Sequence, residues 1–526
     1  METVINIEQS YKNIKSDFGA VGNNVTDDTQ SFIDFEAYYK NKILKIPELS
    51  NPLTMSEVLE LPPGVYIVRK GNLFSSVTKR RIGLTITARE FGSVVIKYVP
   101  DETDTSDYLF NINDSILGVT FENIYFIGDT TKNFMLSTSN GGNQLFHFKR
   151  CHWNNWNKTI ELQGTNNNSE FTWYHCGWSG DINVGLYIGD TNTSDQFLNY
   201  DFYSCNFEVN NGTFIEAWYG GNFRVYGGSL IQISATSDRP FFVLKNKVHG
   251  RSTEMFYNVG TRYEFREGLG SLIHCEWANG NVTFDNINTI ANDSTSDHNL
   301  KTRAVFISNN VKMPNIKFSN CTLGGMHEYR FGAASYNYSS SIVYEDTTIK
   351  SIVTNNNVSE FIKIMAIQGH TILGGVPVIQ FRNCTSNSSI TKINTDYNCT
   401  NYSNISTSAK KIISVKSNKG KSFRGQEKTT IHLPLNSIIT NVKLYSPVDS
   451  TILGGRKVDF RVQSTEVIPT VLGQISGVVL GDGFNVDNAL FFVCDTPEKS
   501  KLLVGDFSAL GLDRETAKMY IFIEYI

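Results

Sequence analysis

Phe121-Glu-Asn-Ile124-Tyr-Phe126, Phe148-Lys-Arg-Cys151-His-Trp153, Trp173-Tyr-His-Cys176-Gly-Trp178 and Phe202-Tyr-Ser-Cys205-Asn-Phe207 are four copies of one short phrase. Each places an aromatic first, then two residues that are usually polar, then a small or β-branched residue, any residue, and a second large one. Val225-Tyr-Gly-Gly228-Ser-Leu230 continues the series, and weaker copies start at Phe256, Phe284 and Phe318, with another at Phe381-Arg-Asn-Cys384. The first eight anchors lie 27, 25, 29, 23, 31, 28 and 34 residues apart. A period in the twenties, built from β-rich stretches with Asn or Gly at the bend, marks a solenoid. Helical repeats are disfavoured, because apolar residues alternate two by two and helix formers are scarce. Each phrase then belongs to one coil of a parallel β-helix, with like positions stacking about 4.8 Å apart. Cys151, Cys176, Cys205 and Cys321 share one slot and are expected to form an inward stack rather than a disulfide network.

Composition narrows the function classes. The 526 residues carry 47 Lys+Arg against 51 Asp+Glu, a formal net charge of −4, with 19% charged, 40% hydrophobic and 12% aromatic residues. Such a balance excludes a nucleic-acid surface spread over the whole molecule and excludes general disorder. Residues Met1 to Ser10 hold no basic cluster followed by an apolar stretch, so no signal peptide is expected. No run of 18 apolar residues exists, so no membrane insertion is expected either. The eight cysteines form no CxxC pair, and no HExxH, phosphate-binding GxxxxGK[ST], GxSxG or EF-hand loop occurs. The expectation is therefore no metal and no cofactor. Gly177-Trp-Ser179-Gly180 lacks the spacing of a serine elbow, and His147, His175 and His274 read as turn or strand residues.

Upstream of the repeats, Asp28 to Lys40 reads as an amphipathic helix with Phe32, Phe35 and Tyr39 on one face, suited to plug the open end of a β-helix. Downstream, Lys410 to Lys428 is Lys/Gly/Ser-rich and reads as a connector. Residues 429–526 change to longer alternating strands such as Lys457-Val-Asp-Phe-Arg-Val, which predicts a separate β-sandwich-like domain. The expected division is a tail over 1–15, a cap and lead-in over 16–110, the parallel β-helix with a glycan groove over 111–408, a connector over 409–428 and the β-rich domain over 429–526.

Asp17-Phe-Gly-Ala-Val-Gly-Asn-Asn-Val-Thr-Asp-Asp-Thr29 closely resembles the opening motif of the pectate-lyase-like superfamily of right-handed parallel β-helices, and Leu61-Pro-Pro-Gly-Val-Tyr66 resembles its second conserved block. In that superfamily both blocks build the N-terminal cap and carry no chemistry. Gly22-Asn23-Asn24 stands where the superfamily usually has Gly-Asp-Gly. Together with the solenoid and the β-rich C-terminal region, the chain looks like a bacteriophage tailspike that depolymerises capsular polysaccharide. The resemblance implies a homotrimer, a place on the virion tail, attachment through a baseplate or tail adaptor protein, and a C-terminal domain that assists trimerisation or binds carbohydrate.

All six tryptophans fall between Trp153 and Trp277. By repeat register Trp153, Trp173 and Trp178 point inward. Trp156, Trp218 and Trp277 fall outside the inward slots and, with Tyr219, are expected to offer faces to sugar rings; packing against a neighbouring subunit is the alternative. Glycoside hydrolysis needs two carboxyl groups, one protonated and one ionised. The candidates are Glu216, which alternation places beside Trp218; Glu276, beside His274; and Glu264, between Arg262 and Arg266. Glu216 and Glu276 are expected two coils apart, about 10 Å, near the inverting separation of roughly 6.5–9.5 Å. Glu264 has Glu208 or Asp181 as other partners. Arg262, Arg266, Tyr263 and His274 could instead serve a polysaccharide lyase. A spike that grips glycan without cleaving it and a purely structural tail protein are the readings outside enzymology.

Overall fold

The repeated phrase closes a corner of the coil. The computed structural model describes residues 11–44 and 56–289 apart from 76, 78–82, 114–117, 141, 165–167, 190–197, 235, 237, 246–253 and 267–269; beyond these it describes 303–308, 313–331, 340–350 and the later strands named below. Two compact units divide the chain, one of residues 1–280 and 287–299, the other of 281–286 and 300–526.

In the first unit the third residue of each phrase is left-handed. Asn123, Arg150, His175, Ser204, Gly227 and Gly260 have φ values of 64°, 48°, 51°, 51°, 66° and 68°. Positive φ turns the chain sharply, and Gly or Asn adopts it at least cost. The next residue points inward, where the coil below stands so close that only a small group fits. Cys151 Sγ donates to the Phe121 carbonyl and Cys176 Sγ to the Phe148 carbonyl, both at 3.3 Å. A Cβ on Gly228 would lie 2.0 Å from the Cys205 carbonyl oxygen. Among the described residues the cysteines are buried and free, and within the first unit Cys151, Cys176 and Cys205 stack as the repeat predicted, whereas Cys275 ends a strand of another face.

Three parallel faces follow from this corner. The first contains Val119–Glu122, Asn143–Lys149, Asn168–Tyr174, Tyr200–Tyr203, Asn222–Tyr226 and Met255–Val259. Their register aligns Phe121, Phe148, Trp173, Phe202 and Val225. At the next coil the partner of Val225 is Asn258 rather than a residue counted from Phe256, which pairs with Phe223. The phrase there is Asn258-Val-Gly-Thr261, hidden because the slot holds a buried amide that bonds Thr261 Oγ1 at 2.9 Å.

Ile124–Ile127, Asn206–Val209, Ser229–Gln232 and Arg262–Phe265 build the second face. Tyr108–Asn113, Asn133–Ser139, Thr213–Ala217, Pro240–Leu244 and Ser271–Cys275 build the third. The long strands His152–Gly164 and Gly177–Ile188 run through both, with a register shift between Asn154 and Trp156. The core is largely stacked rings: Trp153 on Trp178 at 4.9 Å, Trp173 on Phe202 at 4.2 Å, and Phe146 on Phe171 at 4.4 Å.

The cap forms as its motif implied. Asp28, 2% exposed, accepts from the Val21 and Gly22 amides at 2.6 and 3.1 Å, closing the loop around left-handed Gly22. Helix Thr29–Leu44 extends four residues beyond the predicted end, and Phe32, Phe35 and Tyr39 are fully buried. Phe35 and Tyr39 meet Phe74, which stacks on Phe110 at 6.1 Å and so continues the core. Order begins earlier than residue 16. Strand Tyr11–Asn13 pairs with Ser56–Glu60, and Asn13 caps helix Ile14–Phe18 by accepting from the Lys15 and Ser16 amides. Asp17 returns the favour to the Asn13 amide at 2.7 Å, a reciprocal cap.

In the second unit Asn281–Asp285, Asn315–Ser319, Ser341–Glu345 and Val378–Arg382 pair in parallel, aligning Phe284, Phe318, Tyr344 and Phe381. The Tyr344 coil escaped the sequence reading because Thr347 replaces cysteine in the inward slot. Pairing then turns antiparallel. Lys410–Lys416 pairs with Tyr520–Tyr525, which also pairs with Ile438–Tyr445. Thr429–His432, Lys501–Asp506, Val458–Ser464 and Val471–Val478 form a second antiparallel sheet. Lys410–Lys416 is thus a strand inside the stretch expected as connector: its lysines flank a β-branched middle, Ile412-Ile413-Ser-Val415. Residues 417–428 lie outside the described residues.

Candidate active site

Where the second face turns into the third, asparagines at successive coils stack into an amide ladder. Asn157 Nδ2 donates to Asn133 Oδ1 at 2.9 Å, and Asn183 Nδ2 to Asn157 Oδ1 at 3.0 Å. Asn210 Nδ2 donates to the Asp181 carboxylate at 2.6 Å. These amides edge a groove of about 400 Å³ that runs from Thr130 past Asn157, Asn183 and Asn211 to Thr236. Five coils contribute, so its length along the axis is about 19 Å. Of the residues expected to meet sugar, Trp156 alone is among those that line this groove.

Two carboxylate clusters stand on the second and third faces, outside the lining of the groove. On the second face the register runs Ser179, Glu208, Ile231, Glu264. Glu208 and Glu264 are therefore two strands apart in line, about 10 Å between backbones. One guanidinium joins them: Arg266 Nη2 lies 3.0 Å from Glu208 and Arg266 Nε 2.9 Å from Glu264. Arg262 Nη2 takes the other oxygen of Glu264 at 3.0 Å. Arg262, Glu264 and Arg266 thus meet as expected, with Glu208 as fourth member. Asp181 aligns two positions off, beside Asn210, so it does not stand in line with Glu264.

The third face gathers Glu216, Trp218, Lys245, His274 and Glu276. Its register pairs Glu216 with Val243 and Val243 with His274. Glu276 therefore stacks above Lys245, not in line with Glu216. Glu216 and Glu276 lie two coils apart as expected, but the offset along the strands makes the diagonal between their backbones about 12 Å rather than about 10 Å. Trp218 Nε1 donates to Glu216 Oε1 at 2.9 Å, so Glu216 meets the indole through its N–H rather than across its apolar face. Lys245 Nζ lies 2.6 Å and His274 Nε2 3.1 Å from Glu276 Oε1. Burial acts to raise the Glu276 carboxyl, but the hydrogen bonds from His274 and Lys245 outweigh it and hold it at about 2. Glu276 is an ionised group that orients its neighbours, not a proton donor. Lys245 carried no signal in the sequence, since only coil register brings it to Glu276.

Three predicted sugar-stacking rings are core instead. Trp156 is fully buried, lying parallel to Tyr98 at 6.1 Å with Nε1 donating to the Phe126 carbonyl at 3.3 Å. The register shift after Asn154 reverses the parity on which its outward assignment rested. Trp277 is fully buried against Phe223 at 6.4 Å, past the end of its strand where alternation no longer holds. Tyr219 is 8% exposed. Trp218 alone of the six indoles is partly exposed.

Two arrangements went unforeseen. On the first face Tyr174, Tyr203 and Tyr226 stack outward at 4.8 and 4.9 Å, each being the residue after an inward anchor. Ser179 Oγ lies 2.7 Å from His152 Nε2, but among the described residues no carboxylate touches His152, whose burial pushes it down to about 4. A catalytic triad is not assembled. No group of three metal-ligating side chains occurs among the described residues, and no helix there is long and apolar enough to cross a membrane.

No protein-family model matches the chain, and no curated protein matches its sequence. Among solved structures, the catalytic domain of Agl-KA is similar over 76% of this chain and 69% of that one, at 13% identity and a TM-score of 0.50. A tailspike protein from an Acinetobacter baumannii bacteriophage, a capsular polysaccharide depolymerase, aligns over 98% of this chain and 86% of its own at 11% identity and a TM-score of 0.29. The enzymatically active domain of another bacteriophage tailspike aligns over 98% and 68%, at 11% identity and a TM-score of 0.31. The chain has the parallel β-helix architecture that the repeats predicted.

Proposed function

We propose that the chain is a tailspike-type depolymerase that lays a bacterial capsular polysaccharide or exopolysaccharide along the amide groove and cleaves it by glycoside hydrolysis, with Glu208 and Glu264 as the carboxylate pair. The observation that carries this reading is the axial groove together with two in-line carboxylates on the neighbouring face, Glu208 standing two residues before the groove-lining Asn210. Their backbone spacing of about 10 Å shortens as both side chains lean onto Arg266, toward the separation that leaves room for a water. A glycan oxygen arriving between them displaces Arg266 from one carboxylate, which can then carry the proton of the general acid. The other keeps its cation and acts as base. Glu216, with Trp218 beside it, contributes substrate contact on the far side of the groove. Assembly as a homotrimer, attachment to a baseplate or tail adaptor protein and a place on the virion tail belong to the same proposal, as the resemblance to bacteriophage tailspikes implies.

The third-face cluster favours a second reading. An imidazole hydrogen-bonded to an ionised carboxylate, with a lysine alongside, is the equipment of a lyase that abstracts the proton next to a uronate. Purified protein incubated with capsular polysaccharides separates the two. Hydrolysis releases reducing ends without new ultraviolet absorbance, whereas elimination adds the absorbance of an unsaturated uronate. Glu264→Gln and Glu208→Gln should each cut turnover by about 10²- to 10⁴-fold while glycan binding persists. Full activity in both variants, with loss in His274→Ala, would transfer the chemistry to the third face. If no polysaccharide is shortened, the depolymerase reading fails.

A further inference from the structure

The lining of the groove identifies the charge class of its ligand. Among the described residues Asp181 is the one charged side chain that lines it, and the rest of its polar wall is amide and hydroxyl: Asn157, Asn183, Asn210, Asn211 and the Ser234–Thr236 pair. Amides offer both donors and acceptors, which is what a sugar hydroxyl, itself donor and acceptor, requires. The cations nearby are committed elsewhere. Arg266 and Arg262 hold Glu208 and Glu264. Lys158 holds Glu161 at 2.7 Å while lying 3.9 Å from the Tyr187 ring centre. Arg239 turns its guanidinium into the wall, donating to the Asn183 carbonyl at 2.9 Å and to the Asn183 side chain. Lys245, farther out, belongs to Glu276. Asp181, in contrast, is exposed, and among the described residues its carboxylate has only the Asn210 amide as partner.

A polyuronate in this groove would bring one negative charge per acidic sugar against Asp181, while Arg262, Arg266, Lys158 and Lys245 could turn to it only by leaving a carboxylate bare and Arg239 and Lys132 only by giving up the Asn183 and Ser106 carbonyls. A hydroxyl donating to Asp181 makes a charge-assisted bond instead. We infer that the groove selects an uncharged, hydroxyl-rich glycan lying along the coil axis and rejects polyuronates, with Asp181 as the residue that sets this preference. The inference rests on the groove being the glycan site, and it removes the uronate substrate on which elimination at this groove would depend.

The test uses the full chain and immobilised capsular and exopolysaccharide fragments sorted into uncharged and uronate-rich sets. Wild type should retain uncharged fragments, with affinity little changed between about 0.1 M and about 1 M salt, over which the Debye length falls from about 10 Å to about 3 Å. Asp181→Asn should weaken that binding about tenfold, the loss of one charged hydrogen bond. Asp181→Lys should gain uronate-rich ligands while losing uncharged ones. Asp181 is exposed, so both variants should keep the wild-type circular dichroism and melting temperature. Preferential retention of uronate-rich fragments by wild type, or indifference of both sets to Asp181→Lys, overturns the inference and leaves the depolymerase reading standing. Retention of nothing overturns that reading and the inference together.

Discussion

Glu276→Gln is the substitution whose effect follows most directly from the geometry. The carboxyl titrates at about 2 in the folded chain against an ordinary 4.5. A carboxylate held below its unfolded value stabilises the fold, fully above about pH 4.5 and progressively less as pH falls toward 2. The difference of about 2.5 units corresponds to about 3 kcal/mol, and the side chain is only 20% exposed, so solvent screening removes little of it. By about pH 3 roughly 2 kcal/mol of this is gone. The glutamine keeps one acceptor for Lys245 and His274, so the variant should lose about 1–2 kcal/mol at neutral pH. Urea midpoints of wild type and Glu276→Gln, measured in parallel at about pH 7, 5 and 3, provide the assay. Their gap should close as pH falls, since distant carboxylates contribute equally to both proteins and cancel. A gap that stays constant down to about pH 3 would refute the hydrogen-bonded carboxylate–imidazole–lysine cluster.

Other consequences lie in the corners and the core. Gly227→Ala meets open space, its nearest neighbour being Ser204 Oγ at 3.8 Å, and should cost only the left-handed penalty of about 1–2 kcal/mol. Gly228→Ala meets the Cys205 carbonyl and should abolish the native melting transition; equal tolerance of both would contradict the coil spacing. Trp178→Ala should lower stability by about 3–5 kcal/mol, whereas partly exposed Trp218→Ala should change it by about 1 kcal/mol or less, both read by thermal unfolding. Burial pushes the Cys151 thiol up to about 12. Peptide mapping after alkylation at neutral pH should therefore find Cys151, Cys176 and Cys205 unmodified in native protein and modified after unfolding; rapid native labelling would place them outside the core.

The fold was legible because one corner repeats a physical demand. The left-handed corner takes Asn, Gly or, at Arg150, His175 and Ser204, another polar residue, the close approach behind it favours Cys, and the anchor favours an aromatic, so the first, third and fourth residues of the phrase announce each coil. Where another residue meets the same demand, as with Asn258 or Thr347, the phrase vanishes although the coil persists. The site was legible only in part. Alternation correctly grouped Arg262, Glu264 and Arg266, and brought Glu276 to His274, because those contacts are local, two residues apart along one coil. It misplaced Trp156 and Trp277, because parity breaks at a register shift and at a strand end. Pairings between coils, such as Glu208 with Glu264 or Lys245 with Glu276, depend on how many residues each loop consumes, and period alone does not specify that count.

The central claim is that glycan lies in the groove between Thr130 and Thr236, beside the face that carries Glu208 and Glu264. A crystal structure of the Glu264→Gln variant with a bound capsular oligosaccharide tests it most directly. The account predicts sugar rings along the coil axis, hydroxyls on Asn157, Asn183 and Asp181, and a glycosidic oxygen between residues 208 and 264. Oligosaccharide bound instead along Tyr174, Tyr203 and Tyr226 on the first face, with the groove holding only water, would contradict it.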